Sequence, residues 1–362
     1  MNERIFFIAY SLLMSLIFIF VPKYIAMKKN LILVCLAVWS LFAGSCQSKK
    51  QEKTLPNPVP TGNPVLDSWS KKIASLPADA ALYAGRAQAF YEEKSYEFAL
   101  KDLARAISLD STNVPYHHLL ANVYMDSNQS RLALKAMERA AALSHDSIPT
   151  LLKLAEFQLI VRQNTESLLT IKKILDKDHQ NGDAFLLMGV NLKETGDTAR
   201  AIKSFQKAVS YNADLIDAWV NLGTIFSIRN NAEALKYFDT AIRIDTASEE
   251  AWHGKAVWYQ QHRDYPKALE LYQRIGTINP YYADAFYNSG LIYAELDSLE
   301  QAKAQFDIAT QVAPNYITAY YQRGLLAERR KDFVAARKDF IRANAMSPNF
   351  EPAQKALARL PK

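Results

Sequence analysis

Cysteine is nearly absent from this chain: its 362 residues hold two, Cys35 and Cys46. Cys35 lies inside an apolar run and Cys46 ends one, so their placement says more than their number. Charge of one sign is also scarce. The formal net charge is +6, and setting aside Arg4, Lys23, Lys28, Lys29 and Glu3 leaves 39 basic against 36 acidic residues, or +3. No stretch combines clustered Lys and Arg with stacking aromatics, so nucleic acid is not an expected partner. Strand patterns are missing as well, and with them the strand that a Gly-rich phosphate loop would follow. The six histidines form no pair at metal-ligand spacing: His117 and His118 are adjacent and point about 100° apart on a helix. No set of residues satisfies the requirements of an active site, so the sequence predicts no enzyme, no cofactor and no metal.

Hydrophobic residues make up 49% of the chain, enough for one large core or two domains, so length alone does not choose an architecture. The N-terminal region carries two apolar runs. Residues 5–21 form one that is barely long enough to cross a bilayer. The other begins after Met27-Lys28-Lys29-Asn30, runs from Leu31 to Ala43 and closes on Ala43-Gly44-Ser45-Cys46. A charged start, an apolar middle and a small-residue cleavage site resemble a bacterial lipoprotein signal peptide. That resemblance implies a lipid on Cys46 as the mature N-terminus, a mature chain with one cysteine and no disulfide, and a membrane anchor. Ala43 stands where the family favours Leu. The first run is then either a transmembrane helix or an artefact of start-site choice, with translation beginning at Met27. Inserting both runs would force the short N-terminus outward, which favours Met27. The signal spans 27–45 on this reading, and 1–26 is an apolar extension.

Residues 46–63 are polar and Pro-rich, without a periodic apolar face, and read as a flexible tether able to reach about 50 Å. In 64–79 the spacing of Val65, Leu66, Trp69, Ile73 and Leu76 predicts a capping helix stopped by Pro77.

Beyond Pro77 the chain is periodic. Small residues recur at Ala87, Ala121, Ala155, Gly189, Gly223, Ala256, Gly290 and Gly324, at steps of 34 with one of 33. A second small column runs Ala99, Ala133, Ser167, Ala201, Ala234, Ala268, Ala302 and Ala336. Four residues after each member comes a large one: Leu103, Met137, Ile171, Phe205, Phe238, Tyr272, Phe306 and Phe340. Spacings of three and four share one helical face, and small residues there let two helix axes approach, so each unit is predicted to be a helical hairpin. Large residues such as Tyr83, His117, Trp219 and Trp252 open the first helix, and Pro280, Pro314 and Pro348 follow the second.

These columns resemble the tetratricopeptide repeat. The resemblance implies an all-α, right-handed α-solenoid of about eight helical hairpins over 80–350, divided at 80–113, 114–147, 148–181, 182–215, 216–248, 249–282, 283–316 and 317–350. A C-terminal capping helix is expected in 351–362. The hairpin over 148–181 departs from the pattern at Gln158, Ser167 and Ile174 and is expected to be the least stable. The unit from 216 lacks one residue near Asn230-Asn231. His262-Arg263-Asp264 imitates a kinase catalytic loop in three letters, but it falls in a hairpin turn without the rest of that machinery.

In this family the first helices line the concave wall. Two ladders should therefore face it: Ala84, His118, Leu152, Leu186, Val220, His253, Tyr287, Tyr321, and Gln88, Asn122, Glu156, Val190, Thr224, Val257, Leu291, Leu325. The candidate groove is Val220, His253, Val257, Tyr287, Leu291, Tyr321 and Leu325, where Tyr offers contact area at little entropic cost. A protein or peptide is the expected occupant. The ladders contain Asn122 and no Lys, unlike the clamp with which some family members hold a carboxyl terminus. The function implied is a protein-binding scaffold in the cell envelope, anchored at the outer membrane and facing the periplasm. A self-associating structural protein and an adaptor of an envelope hydrolase or of a secretion or assembly complex remain the alternatives.

Overall fold

In the computed structural model residues 62–361 are described, and the expectations for the apolar runs, Met27, Cys46 and most of the tether fall outside them. The chain divides into two units, 1–79 and 80–362. Within the first, α1 (Pro64–Ser75) begins at Asn63, whose side chain accepts from the Val65 N–H at 2.8 Å, and Pro64 opens the first turn. Leu66, Ser70 and Ile73 are its buried residues. Val65 and Leu76, both expected on the apolar face, are exposed because the buried stripe is narrower than the sequence pattern. None of the described helices is long and apolar enough to cross a membrane.

The second unit is helical throughout its described length. Its helices are α2 (Ala80–Glu92) and α3 (Tyr96–Leu109), α4 (Val114–Asp126) and α5 (Ser130–Leu143), α6 (Ile148–Ile160) and α7 (Asn164–Lys177), α8 (Gly182–Glu194) and α9 (Thr198–Tyr211). They continue as α10 (Ile216–Ile228) and α11 (Glu233–Ile244), α12 (Glu249–Gln261) and α13 (Tyr265–Ile278), α14 (Ala283–Glu295) and α15 (Leu299–Val312), α16 (Ile317–Arg329) and α17 (Phe333–Met346). A final α18 (Glu351–Arg359) buries Ala353 and Ala356. Within the repeats each helix packs most extensively on its hairpin partner and next on the adjoining helix of the neighbouring hairpin. The first helices of several adjacent hairpins also touch one another, more closely than the second helices do. The row therefore bends with its first helices on the inside.

Backbone chemistry sets the hairpin turns. Every first helix ends on a residue with positive φ: Lys94, Asn128, Arg162, Gly196, Asn230, Arg263, Asp297 and Lys331. The next N–H then reaches back five residues, as from Ser95 to the Phe90 carbonyl at 2.8 Å and from Asp332 to the Ala327 carbonyl at 2.9 Å. This is a Schellman closure, and it satisfies carbonyls that the helix end leaves free. Gly196 alone occupies the position without a Cβ penalty. The short unit keeps the turn at Asn230 and loses its residue just after it: α11 has 12 residues, against 14 in α9 and α13. Between hairpins, Asp178, Asn212, Asp245 and Asn279 each accept from the N–H two residues on, at 2.8–3.1 Å, forming Asx turns.

Packing within a hairpin is a match of sizes. A Cβ built at Gly189, Gly223, Gly290 or Gly324 would lie 2.5–2.6 Å from the ring of Phe205, Phe238, Phe306 or Phe340, which are themselves buried. Where the small residue is Ala87, Ala121 or Ala155, the large partner is Leu103, Met137 or Ile171, all fully buried. The departing hairpin over 148–181 compensates with hydrogen bonds: Thr170 Oγ1 donates to Gln158 Oε1 at 2.8 Å and Ser167 Oγ to the Ala155 carbonyl at 3.0 Å. The first and last hairpins carry an ion pair across the same helix interface. Arg86 grips Asp102 at 2.6 and 2.8 Å, and Arg323 grips Asp339 at 2.7 Å through both nitrogens.

Candidate binding groove

The inner wall is built from first-helix side chains that rest against the hairpin cores and keep one side exposed, as Leu152, Leu186 and Val190 do. Between α6, α8 and α10 it deepens into a cavity of about 900 Å³. On α8, Asp183, Leu186, Leu187, Val190 and Glu194 all line it. Their spacing of three, one, three and four residues keeps them on one face along the whole helix. Leu152, Glu156 and Ile160 contribute from α6 at steps of four, and Asp217 and Asn221 from α10. Behind this wall α8 is fixed by Asn191, fully buried, whose Nδ2 donates to the Asn164 carbonyl at 2.8 Å. The lining is aliphatic in the middle and acidic at its edges. Lys153 belongs to it too, but its Nζ is held by Asn122 Oδ1 of α4 at 3.1 Å.

Further along, the residues singled out from the sequence stand on the first helices α10, α12, α14 and α16 in a different setting. Val220, His253, Val257, Tyr287, Leu291, Tyr321 and Leu325 are all half-buried. Their rings meet aromatics of the following loop and second helix. Tyr287 lies 5.0 Å from Tyr316 and 6.0 Å from Phe306, and Tyr321 lies 5.3 Å from Phe350 and 5.8 Å from Phe340. His253 lies 5.6 Å from Tyr282 and 6.0 Å from Tyr272, with Asn288 Nδ2 3.0 Å from its Nε2. Burial holds this imidazole below its ordinary range, and the carboxylates of Asp284 and Glu250 oppose that only in part. Tyr316 donates to Asp284, and burial reinforced by that bond pushes its phenol far up. Burial likewise raises Tyr282 to about 12. Much of the aromatic surface here joins hairpin to hairpin.

Residues 66–212 match the family described as the cytochrome c-type biogenesis protein H TPR domain, and 186–249 and 287–349 match a tetratricopeptide repeat family. The chain is a tetratricopeptide-repeat protein. A curated relative, the Hsp70-Hsp90 organizing protein of Triticum aestivum, is 24% identical over 217 residues, covering 59% of this chain and 32% of that one. The chain thus spans about a third of that relative's length. Among solved structures, the Cut9-Hcn1 hetero-tetramer of APC/C gives a TM-score of 0.55 at 17% identity, over 81% of this chain and 58% of that one. A tetratricopeptide repeat protein from Parabacteroides merdae gives 0.51 at 16% identity, over 68% and 97%. At these identities the structures establish the fold.

In this tetratricopeptide-repeat protein the other conspicuous residues serve the scaffold. Trp219 Nε1 donates to the Ala213 carbonyl at 2.8 Å and Trp252 Nε1 to that of Thr246 at 3.0 Å. His117 occupies the same column, and its Nε2 meets the Ser111 carbonyl at 3.0 Å, so its ring nitrogen stands in for the indole N–H. His262 stacks on Trp258 at 3.9 Å, Arg263 is the positive-φ turn residue, and Asp264 caps α13. That assigns all three letters of the kinase-like triplet to turn structure. No group of three His, Cys, Asp or Glu among the described residues could hold a metal. Of the cavity residues, Leu152, Glu156, Leu186 and Val190 belong to the two ladders read from the sequence. Of the acidic rim, Asp183, Glu194 and Asp217 were missed, although Asp183 and Asp217 stand three residues before ladder members Leu186 and Val220.

Proposed function

We propose that this protein is a non-enzymatic scaffold that holds a protein or peptide against the inner wall of its repeats. The observation that carries the reading is the cavity between α6, α8 and α10, lined by half-buried aliphatic side chains that back onto the hairpin cores and by exposed carboxylates. Aliphatic side chains bordered by carboxylates and amides suit docking of a polypeptide. Relatives named for an organizing role and for a multisubunit assembly agree with a function in bringing proteins together. The lipoprotein-like sequence before Cys46 supports a lipid-anchored location in the bacterial cell envelope, at the outer membrane and facing the periplasm.

Two measurements test the two halves. A photo-crosslinking residue placed at Leu186 should capture a discrete partner in intact cells, and the same residue at exposed Leu169 on the outer helix α7 should not. Equal capture at both positions would refute an inner-wall site. For the anchor, Cys46→Ala should release the protein from the membrane fraction, and the native N-terminal peptide should carry acyl mass on Cys46. Unchanged membrane association together with an unmodified cysteine would refute lipidation.

A further inference from the structure

The charge arrangement of the cavity narrows its occupant. Four carboxylates, those of Glu156, Asp183, Glu194 and Asp217, share the lining with two cations, Lys153 and Arg162. Lys153 is turned to Asn122, and among the described residues none of the four carboxylates has an ion-pair partner. All four are exposed and so accessible at the cavity's edge. Their placement is also directional. Asp183 and Glu194 stand at opposite ends of α8, eleven residues and therefore about 16 Å apart, with Leu186, Leu187 and Val190 between them. Asp217 on α10 joins the Asp183 end.

We propose that the groove takes a cationic polypeptide segment of a partner protein: an apolar centre seated on Leu152, Leu186 and Val190, with Lys or Arg on each side reaching the carboxylates. A separation of about 16 Å is five residues of extended chain at about 3.3 Å each, or eleven of helix. This rests on the inner-wall reading above and adds the chemistry of the partner to it. An acidic segment would meet like charge from four carboxylates against one exposed cation, Arg162, so the balance of the lining disfavours it. The wall is thus opposite in preference to a groove built to clamp a carboxyl terminus.

The test uses the whole mature chain and labelled synthetic peptides with one apolar centre of five residues, flanked by two Lys, two Gln or two Glu on each side, read by fluorescence anisotropy. The Lys-flanked peptide should bind most tightly, and its affinity should fall with added salt. Asp183→Asn, Glu194→Gln and Asp217→Asn together should weaken it about tenfold, because three rim charge pairs are lost. These three groups are exposed, so an unchanged circular dichroism spectrum is expected alongside. Leu186→Lys should abolish binding of every peptide. If the Gln- or Glu-flanked peptide binds as tightly and Leu186→Lys still blocks it, the inner wall is a docking site and the cationic preference is wrong. If no peptide binds and the Leu186 crosslinker captures nothing in cells, the docking site and its preference fall together.

Discussion

The pairing of Gly290 with Phe306 allows the hairpin packing to be tested quantitatively. A methyl group at position 290 would lie 2.6 Å from Phe306 Cε1, 2.8 Å from Cδ1 and 3.0 Å from Cζ. The ring is 1% exposed and cannot swing into solvent. Overpacking of this kind costs about 1 to 3 kcal/mol. Gly290→Ala also gains about 1 kcal/mol of helix propensity, so its net destabilisation should be no more than about 2 kcal/mol. Gly290→Leu adds three further heavy atoms to the same space and should reach the upper end of the overpacking range. The clash itself is isolated by a double-mutant cycle with Phe306→Leu, because Ala opposite Leu is the combination already present at Ala87 and Leu103. The expected coupling is about 1 to 3 kcal/mol, with the double variant more stable than the two single changes add up to. Urea unfolding followed by far-UV circular dichroism gives the free energies. Amide hydrogen exchange in α14 and α15 locates them, since repeat arrays open in local units. Additivity within about 0.5 kcal/mol would mean that the two side chains do not oppose each other and would refute the size-matching account.

Other expectations follow from single features. Arg162→Gly should raise stability by about 1 kcal/mol, because the positive φ that Arg holds under strain is free for Gly, and Gly196→Ala should lower it by a similar amount; urea midpoints that move the other way would contradict the turn geometry. Arg86→Ala strands the Asp102 carboxylate at the helix interface, where breaking such a pair costs about 3 to 5 kcal/mol, while Arg86→Met with Asp102→Leu should recover most of that loss on thermal unfolding. Stability should also depend on pH through His253. Its folded value lies below the ordinary 6.5, so the unfolded chain binds the proton more readily, and the contribution is complete above 6.5 and is lost as pH falls towards the folded value. His118, also held down chiefly by burial, acts in the same direction. The urea midpoint should therefore be lower at pH 5.5 than at pH 7.5, and His253→Phe should reduce the difference; an undiminished difference would assign it to other groups.

Periodicity made the helical hairpins legible because the constraint is local and repeated. A small residue every 34 positions, a large one at fixed offset and a turn between them require only the geometry of two helices in contact. The Gly and Phe columns were readable for that reason, and so was the turn nature of the kinase-like triplet. The turn residues themselves were less so: Lys94, Arg162 and Lys331 carry no composition signal for positive φ, which the hydrogen-bonded closure imposes on whatever residue occupies the place. Gln158, Ser167 and Thr170 looked like lapses in the pattern until their hydrogen bonds showed a different way of holding the same helices.

The candidate groove divides along the same line. Helical phase within one hairpin was enough to pick out Leu152, Glu156, Leu186 and Val190, which line the cavity. The sequence could not tell which of the ladder residues stay available, since that depends on the loop of the next hairpin. Tyr287 and Tyr321 looked like the best docking surface, and the packed rings of Tyr316 and Phe350 use much of it. Where the following loop brings no aromatic, as at Asn181 and Leu215, the wall stays open and Leu186 and Val190 face a cavity beside Asp183, Glu194 and Asp217. Only the stacking of whole hairpins decided this, because it sets residues tens of positions apart side by side and so fixes both the open space and the charge around it.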